Sequence, residues 1–166
     1  MLKDKIKPLA ELIEIRNNLK KQNLKVVFTN GVFDIIHRGH VEYLDKAKSL
    51  GDVLMVGLNS DNSVRLVKGE GKPIVCQEDR AVVLAGLSSV DYISYFDEET
   101  PHHIISSLLP DILVKGGDYN LDEIVGRDVV KATGGEVITI PLTPGSSTSD
   151  VIRKVARLIK ERKILL

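Results

Sequence analysis

The chain has 166 residues, enough for one domain with a substantial core and too few for two ordinary ones. Its 23 Lys and Arg balance 23 Asp and Glu, which excludes nucleic acid or an anionic membrane held by a global positive field, so any anion is bound locally. A single cysteine, Cys76, excludes an internal disulfide framework or cysteine-built metal site, and no signal-peptide core or membrane-length apolar run occurs, so a cytoplasmic protein is expected.

Asp4–Lys21 reads as an amphipathic helix carrying Leu9, Leu12, Ile13 and Leu19, with Pro8 disturbing its first turn. This N-terminal helix (1–22) is expected to dock on the domain that follows (23–166) or on a second subunit. Lys25–Thr29 is the first strand-length run of Val and Phe, and Thr29–His40 leads from it into a helix over His40–Leu50. A second strand at Val53–Leu58 is followed by Lys68–Pro73, whose two glycines and proline predict a mobile loop that closes over ligand. Helices over Glu78–Ser88, Thr100–Leu109 and Asp122–Thr133 then alternate with strands at Tyr92–Phe96, Ile112–Lys115 and Glu136–Ile140, and Asp150–Lys163 closes the series as a helix. The alternation predicts an α/β, Rossmann-like domain: a five-stranded parallel sheet, helices on both faces and right-handed crossovers. Ligands of such sheets gather at the carboxyl ends of the strands, so functional residues are expected just after them.

Three segments fit that rule. His37 and His40, three residues apart at a helix entry, can face one side, where unpaired backbone N–H groups and the helix dipole favour an anion. Gly31 allows the backbone to approach a phosphate, and Gly39 leaves room between the imidazoles. Read alone, the pair is better explained as surface histidines of a helix cap; metal ligation lacks both the i, i+4 spacing and a third ligand. After the fifth strand, Thr143, Gly145, Ser147 and Thr148 bring hydroxyls and N–H groups to another helix entry, either a simple N-cap or a second anion site. Lys68 and Lys72 on the glycine-rich loop can close onto phosphates or remain solvated. Lys115, Gly116, Gly117 and Asp118 follow the fourth strand, where a nucleobase would sit, with Lys115 in reach of phosphates.

Gly31-Val32-Phe33-Asp34-Ile35-Ile36-His37-Arg38-Gly39-His40 resembles the G-x-F-D-x-x-H-x-G-H signature of the cytidylyltransferase-like nucleotidyltransferases. The resemblance implies that His37 and His40 donate to a triphosphate, that Asp34 lies near the α-phosphate and acceptor, and that Gly31, Val32, Phe33 and Gly39 line the nucleotide. Residues 142–149 are similar to the R-T-x-G-I-S-T-[ST] element that grips the β- and γ-phosphates, which adds Thr148 to the expected catalytic group. Leu142 stands in place of the arginine, however, and Ser146 in place of the isoleucine. Arg80 resembles a family arginine that touches acceptor or phosphates; pairing with a nearby acid is the other reading.

The remaining motifs, among them Gly-Leu-Asn-Ser-Asp (57–61), Phe-Asp-Glu-Glu-Thr-Pro (96–101) and Leu-Val-Lys-Gly-Gly-Asp-Tyr (113–119), resemble the adenylyltransferase domain of the bacterial ADP-heptose synthases over about Asn23–Arg157. That resemblance implies transfer of AMP from ATP, carried with Mg2+, to D-glycero-β-D-manno-heptose 1-phosphate, giving ADP-heptose and pyrophosphate for lipopolysaccharide-core precursors. It further implies a heptose kinase acting upstream as a separate enzyme, no dedicated metal cage, and a homo-oligomer. A cytidylyltransferase acting on glycerol phosphate or another polyol phosphate, and a non-catalytic sensor of ATP, are the competing expectations.

Overall fold

The structure is a computed structural model and describes residues 1–117, 120–145 and 147–164. Five strands, β1 (Val26–Gly31), β2 (Val53–Asn59), β3 (Tyr92–Phe96), β4 (Ile112–Gly116) and β5 (Glu136–Ile140), form one parallel sheet in the order β3-β2-β1-β4-β5. The chain steps outward from β1 through β2 to β3, then returns to lay β4 on the other side of β1. The strand order therefore reverses between β1 and β4, which opens a crevice above their carboxyl ends.

Alternate residues of each strand enter opposite cores, as the pleat requires. Val27, Leu54, Val56 and Val114 pack on one face with Tyr43, Leu44 and Ala47 of α2 (Arg38–Lys48) and with Ala81, Leu84 and Ala85 of α4 (Gln77–Ala85). Val26, Phe28, Met55 and Leu113 pack on the other with Leu12 of α1 (Leu9–Lys21), with Ile104, Ile105 and Leu108 of α5 (His102–Leu108) and with Val130 of α6 (Arg127–Ala132). Helices thus cover both faces, as the sequence predicts.

The N-terminal segment is tied to this body. Ile6 bridges Ile93 of the edge strand β3 and the Lys7 N–H donates to the Ile93 carbonyl, which covers an otherwise open edge. Pro8 does not sit within a helix: it is the N-cap of α1, and a short 3-10 turn over Leu2–Lys5 precedes it. At the amino ends of the strands, Asp52, Asp91 and Asp111 stand immediately before β2, β3 and β4. Their carboxylates accept hydrogen bonds from the N–H groups of Lys25 (2.7 Å), just before β1, of Leu54 (2.7 Å) on β2 and of Val26 (2.8 Å) on β1. Three side chains thereby fasten one end of the sheet.

Two elements differ from the sequence reading. Asp61–Lys68 is a helix, α3, which the sequence reading left without an element. Of its apolar side chains only Val64 is buried, while Leu66 and Val67 are exposed; eight residues with three apolar positions fall short of the run that marks a helix in sequence, and the start is set by Ser60, whose hydroxyl accepts from the Ser63 N–H. Lys68 consequently ends a helix and does not begin a loop, and Gly69, at φ 88°, terminates it. The single helix expected over Asp122–Thr133 is instead a 3-10 turn at Leu121–Glu123 followed by α6. Gly126 breaks it with φ 84°, and a Cβ there would lie 2.7 Å from Ile105. The last helix, α7, spans Thr148–Lys160.

Candidate active site

The crevice above β1 and β4 is a cleft of about 590 Å³. It gathers residues from the ends of β1, β2, β4 and β5 and from the entries of α2 and α7. Of the residues expected from sequence, Gly31, Val32, Phe33, Asp34, His37, Gly39, His40, Lys68, Lys72, Lys115, Gly116, Thr143, Ser147 and Thr148 line it. Gly117 and Gly145 do not, and Asp118 lies outside the described residues.

The first wall is built where β1 runs out. Phe33 adopts φ 46°, an uncommon conformation for a bulky side chain, and its ring turns back into the core, 6 % exposed. This tight turn delivers His37 as the N-cap of α2 and His40 into its first turn. The two imidazoles stack with centroids 3.8 Å apart, and His40 and Phe33 meet edge to face with centroids 5.3 Å apart. Both Nδ1 atoms are buried and without a hydrogen-bond partner among the described residues. Burial lowers the pKa of His37; burial and then the neighbouring His37 hold His40 down at about 4. The pair is therefore neutral at pH 7, and each ring keeps one N–H to donate.

This depression has a consequence for stability. Between pH 4 and the ordinary histidine value of 6.5 the unfolded chain binds a proton at residue 40 that the folded chain does not, so stability is full above about 6.5 and declines as pH falls toward 4. Tm is expected to drop by a few degrees between pH 7 and pH 5, and to drop less in His40→Asn. Equal slopes for the two proteins would remove His40 as the source.

A cation stands across the crevice from this neutral pair. Lys115, on β4, donates from Nζ to Asn30 Oδ1 at 2.8 Å, and among the described residues it has no carboxylate partner. Burial lowers its pKa to about 8. A lysine held this way, still largely protonated at pH 7, is poised for an anion, whose arrival would raise its pKa again. The wall beyond comes from the β5–α7 connection. Thr143 donates to Glu42 Oε2 at 2.6 Å, Ser147 caps α7 by accepting from the Asp150 N–H, and the Thr148 hydroxyl donates to the Ile35 carbonyl at 3.3 Å. The entries of α2 and α7 thus border one cleft, and both present orphan N–H groups there.

Asp34 and Arg80 organise the base of the site. The Asp34 carboxylate, 6 % exposed, accepts from the backbone N–H groups of Ile74 and Val75 at 2.8–3.0 Å and from Lys72 Nζ at 3.4 Å. The residue therefore lines the cleft and also fastens the segment that carries Lys72. Arg80 departs from the expectation of a ligand contact: its guanidinium is fully buried and does not line the cleft. It donates to the carbonyls of Val75 (2.9 Å) and Val32 (2.6 Å) and to Asp61 Oδ1 (2.8 Å). The alternative reading, pairing with an acid, is what the structure displays, and the residue joins three segments that border the cleft.

Sequence reasoning missed Asn30, Asn59, Glu99 and Pro101, which also line the cleft. Asn30 and Asn59 lie in the last two residues of β1 and β2, and Glu99 and Pro101 follow β3, positions at the strand ends that the sheet rule already marks. It missed Glu42 as well, which accepts from both Thr143 and Arg38 and whose carboxyl these hydrogen bonds keep below its ordinary value. The only local hint was its place four residues after Arg38.

Among the described residues no group of three His, Cys, Asp or Glu side chains is placed to hold a metal ion, and no helix is long and apolar enough to cross a membrane. Comparison with known proteins agrees with the geometry. The chain is 50 % identical over 157 residues to the bifunctional protein HldE of Geobacter sulfurreducens, covering 95 % of this chain and 32 % of that protein. It is 51 % identical over 153 residues to HldE of Helicobacter pylori, covering 92 % of this chain and 32 % of that protein. The chain thus spans about a third of the length of these relatives. Among solved structures, the lipopolysaccharide core biosynthesis protein of Thermoplasma volcanium superposes with a TM-score of 0.59 at 30 % identity, covering 72 % of this chain and 97 % of that one. The pantoate-beta-alanine ligase of Francisella tularensis, at 19 % identity and a TM-score of 0.60 over 94 % of this chain and 77 % of its own, shares the fold. Residues 28–154 match the Cytidylyltransferase-like family, and with the paired histidines at the α2 entry the chain belongs to that family of nucleotidyltransferases.

Proposed function

We propose that the protein transfers AMP from ATP to D-glycero-β-D-manno-heptose 1-phosphate, releasing pyrophosphate and forming ADP-heptose. The observation that carries the polyphosphate part is the stacked, neutral His37–His40 pair at a helix entry, faced by Lys115 across the same cleft. The likeness to HldE over nearly the whole chain and to a lipopolysaccharide core biosynthesis protein supports a place in lipopolysaccharide precursor synthesis, and the choice of ATP and the heptose phosphate rests on the motifs at 57–61, 96–101 and 113–119.

In this reading an oxygen of the sugar phosphate attacks the α-phosphorus, a new P–O bond forms, and the bond to the β-phosphate breaks with its electron pair leaving on pyrophosphate. The nucleophile is already ionised, so no side chain needs to remove a proton. What the protein supplies is alignment of two polyanions and stabilisation of charge around the α-phosphorus. His37 and His40 donate one N–H each to the triphosphate. Lys115 and the α2 and α7 entries add positive potential, with Thr148 and Ser147 bordering the β- and γ-phosphates. Lys72 approaches from the segment that Asp34 fastens. Magnesium travels with ATP as part of the substrate, bound largely by phosphate oxygens and water. The reaction belongs to the cytoplasm, where ATP and a sugar kinase furnish both reactants.

Purified protein with MgATP and the heptose phosphate is expected to release pyrophosphate only when both substrates are present. Release with CTP and glycerol phosphate instead would keep the mechanism and overturn the substrates. Nucleotide binding without release under any pairing would overturn catalysis.

A further inference from the structure

Asn59 closes β2 with its side chain almost wholly buried, 6 % exposed, and still lines the cleft. The hydrogen bonds around it fix which end of its amide faces which way. Ser63 has one hydroxyl proton and gives it to the Glu98 carbonyl at 2.6 Å. Its Oγ can therefore only accept from Asn59, and it is Asn59 Nδ2 that donates to it at 2.9 Å. The amide oxygen is turned away from Ser63, and among the described residues it has no donor. A buried amide oxygen left in this state is costly unless a ligand or water supplies the proton.

The chemistry of that oxygen narrows what it takes. Phosphate oxygens ionised at neutral pH offer no proton, so Asn59 Oδ1 repels a triphosphate and matches an O–H or N–H group. The sheet order indicates which substrate brings one. The groups that favour anions follow β1, β4 and β5: the histidine pair, Lys115, and Ser147 with Thr148. Asn59 stands on the other side of β1, where the register sets it beside Phe96 of β3. Glu99, three residues beyond Phe96, lines the cleft as well, and the Ser63 bond to the Glu98 carbonyl ties its backbone to the same network. An amide oxygen and a carboxylate are both acceptors, a lining that suits hydroxyls. Lys68, which ends α3, and Lys72 leave cations in the cleft for a phosphate on the same molecule.

We infer that Asn59 is a specificity-determining residue for the acceptor: its Oδ1, aimed by Ser63, accepts a hydrogen bond from a hydroxyl of the sugar phosphate, and Glu99 accepts from a second hydroxyl. The inference rests on the reaction proposed above and adds where the sugar is read. Steady-state pyrophosphate release, with each substrate varied in turn, tests it. Asn59→Leu, close in shape but without the oxygen, is expected to raise KM for the heptose phosphate about tenfold and to leave KM for ATP within about twofold. Loss of fold integrity alone would not separate the two substrates. Wild type is expected to discriminate about tenfold against one monodeoxy heptose phosphate, and Asn59→Leu to lose that discrimination, because the missing hydroxyl and the missing oxygen are partners. Ser63→Ala, which frees the amide to turn, is expected to raise the same KM by a smaller factor.

An unchanged acceptor KM in Asn59→Leu, or a wild type indifferent to every monodeoxy acceptor, would overturn the inference. So would a rise in KM for ATP with lost discrimination against 2′- or 3′-deoxy-ATP, which would assign Asn59 to the ribose. Wild-type activity with glycerol phosphate in place of the heptose phosphate would overturn the proposed reaction alone, and the same comparison made on that acceptor then decides Asn59. Silence with every acceptor would overturn both.

Discussion

Replacement of His37 or His40 by alanine is expected to lower kcat for pyrophosphate release by about a hundredfold or more, with a smaller change in KM for ATP. The asymmetry follows from the geometry. Each ring offers one N–H to an oxygen whose negative charge grows as pyrophosphate departs, so the donors matter more in the transition state than in the bound ground state. The stacking at 3.8 Å adds a second expectation, that the two losses are not additive. Removing one imidazole withdraws the packing partner that orients the other, so the double variant should be little worse than the poorer single one. Wild-type turnover in the double variant would sink the mechanism. A loss confined to KM would recast the pair as uniform binding groups.

The second large effect concerns Arg80. Its three hydrogen bonds join the turn after β1, the segment following α3 and the start of α3 itself, all from a guanidinium with no exposed surface. Truncation to alanine leaves Asp61 without its partner and two inner carbonyls without donors, and is expected to cost about 3–5 kcal/mol, roughly ten degrees in Tm. Arg80→Lys keeps the charge but cannot span three acceptors with one ammonium, so an intermediate loss is expected. Chemical denaturation distinguishes this role from a ligand contact. A variant with native stability and a raised KM would return Arg80 to the substrate side.

Much of this architecture was legible because it rests on local rules. Runs such as Val53–Leu58 are too short and too uniformly apolar for anything but a buried strand, and the structure extends that one by a single residue. The histidine pair was legible because both members lie within four residues of one strand-to-helix turn. Contacts made across the fold were less visible. Nothing near Glu42 in the sequence indicates that it accepts from Thr143, 101 residues away, or that Asp34 fastens the backbone at 74–75. Helix α3 was hidden by its brevity: eight residues with three apolar side chains, Val64, Leu66 and Val67, fall short of the window over which periodicity separates a helix from a loop. Arg80 was ambiguous for a related reason: an arginine looks the same in sequence whether it binds a substrate phosphate or staples three segments.

The carboxylates of Asp52, Asp91 and Asp111 carry a consequence for how such a protein diversifies. They settle strand alignment at the end of the sheet remote from the cleft. Segments at the other end, including Leu142 and the stretch from Gly69 to Val75, are thereby relieved of keeping the strands in register. Substitutions at the cleft end that spare the Asp34 and Arg80 hydrogen bonds can therefore vary the lining without unfastening the strands, so the scaffold tolerates change where ligand chemistry is decided.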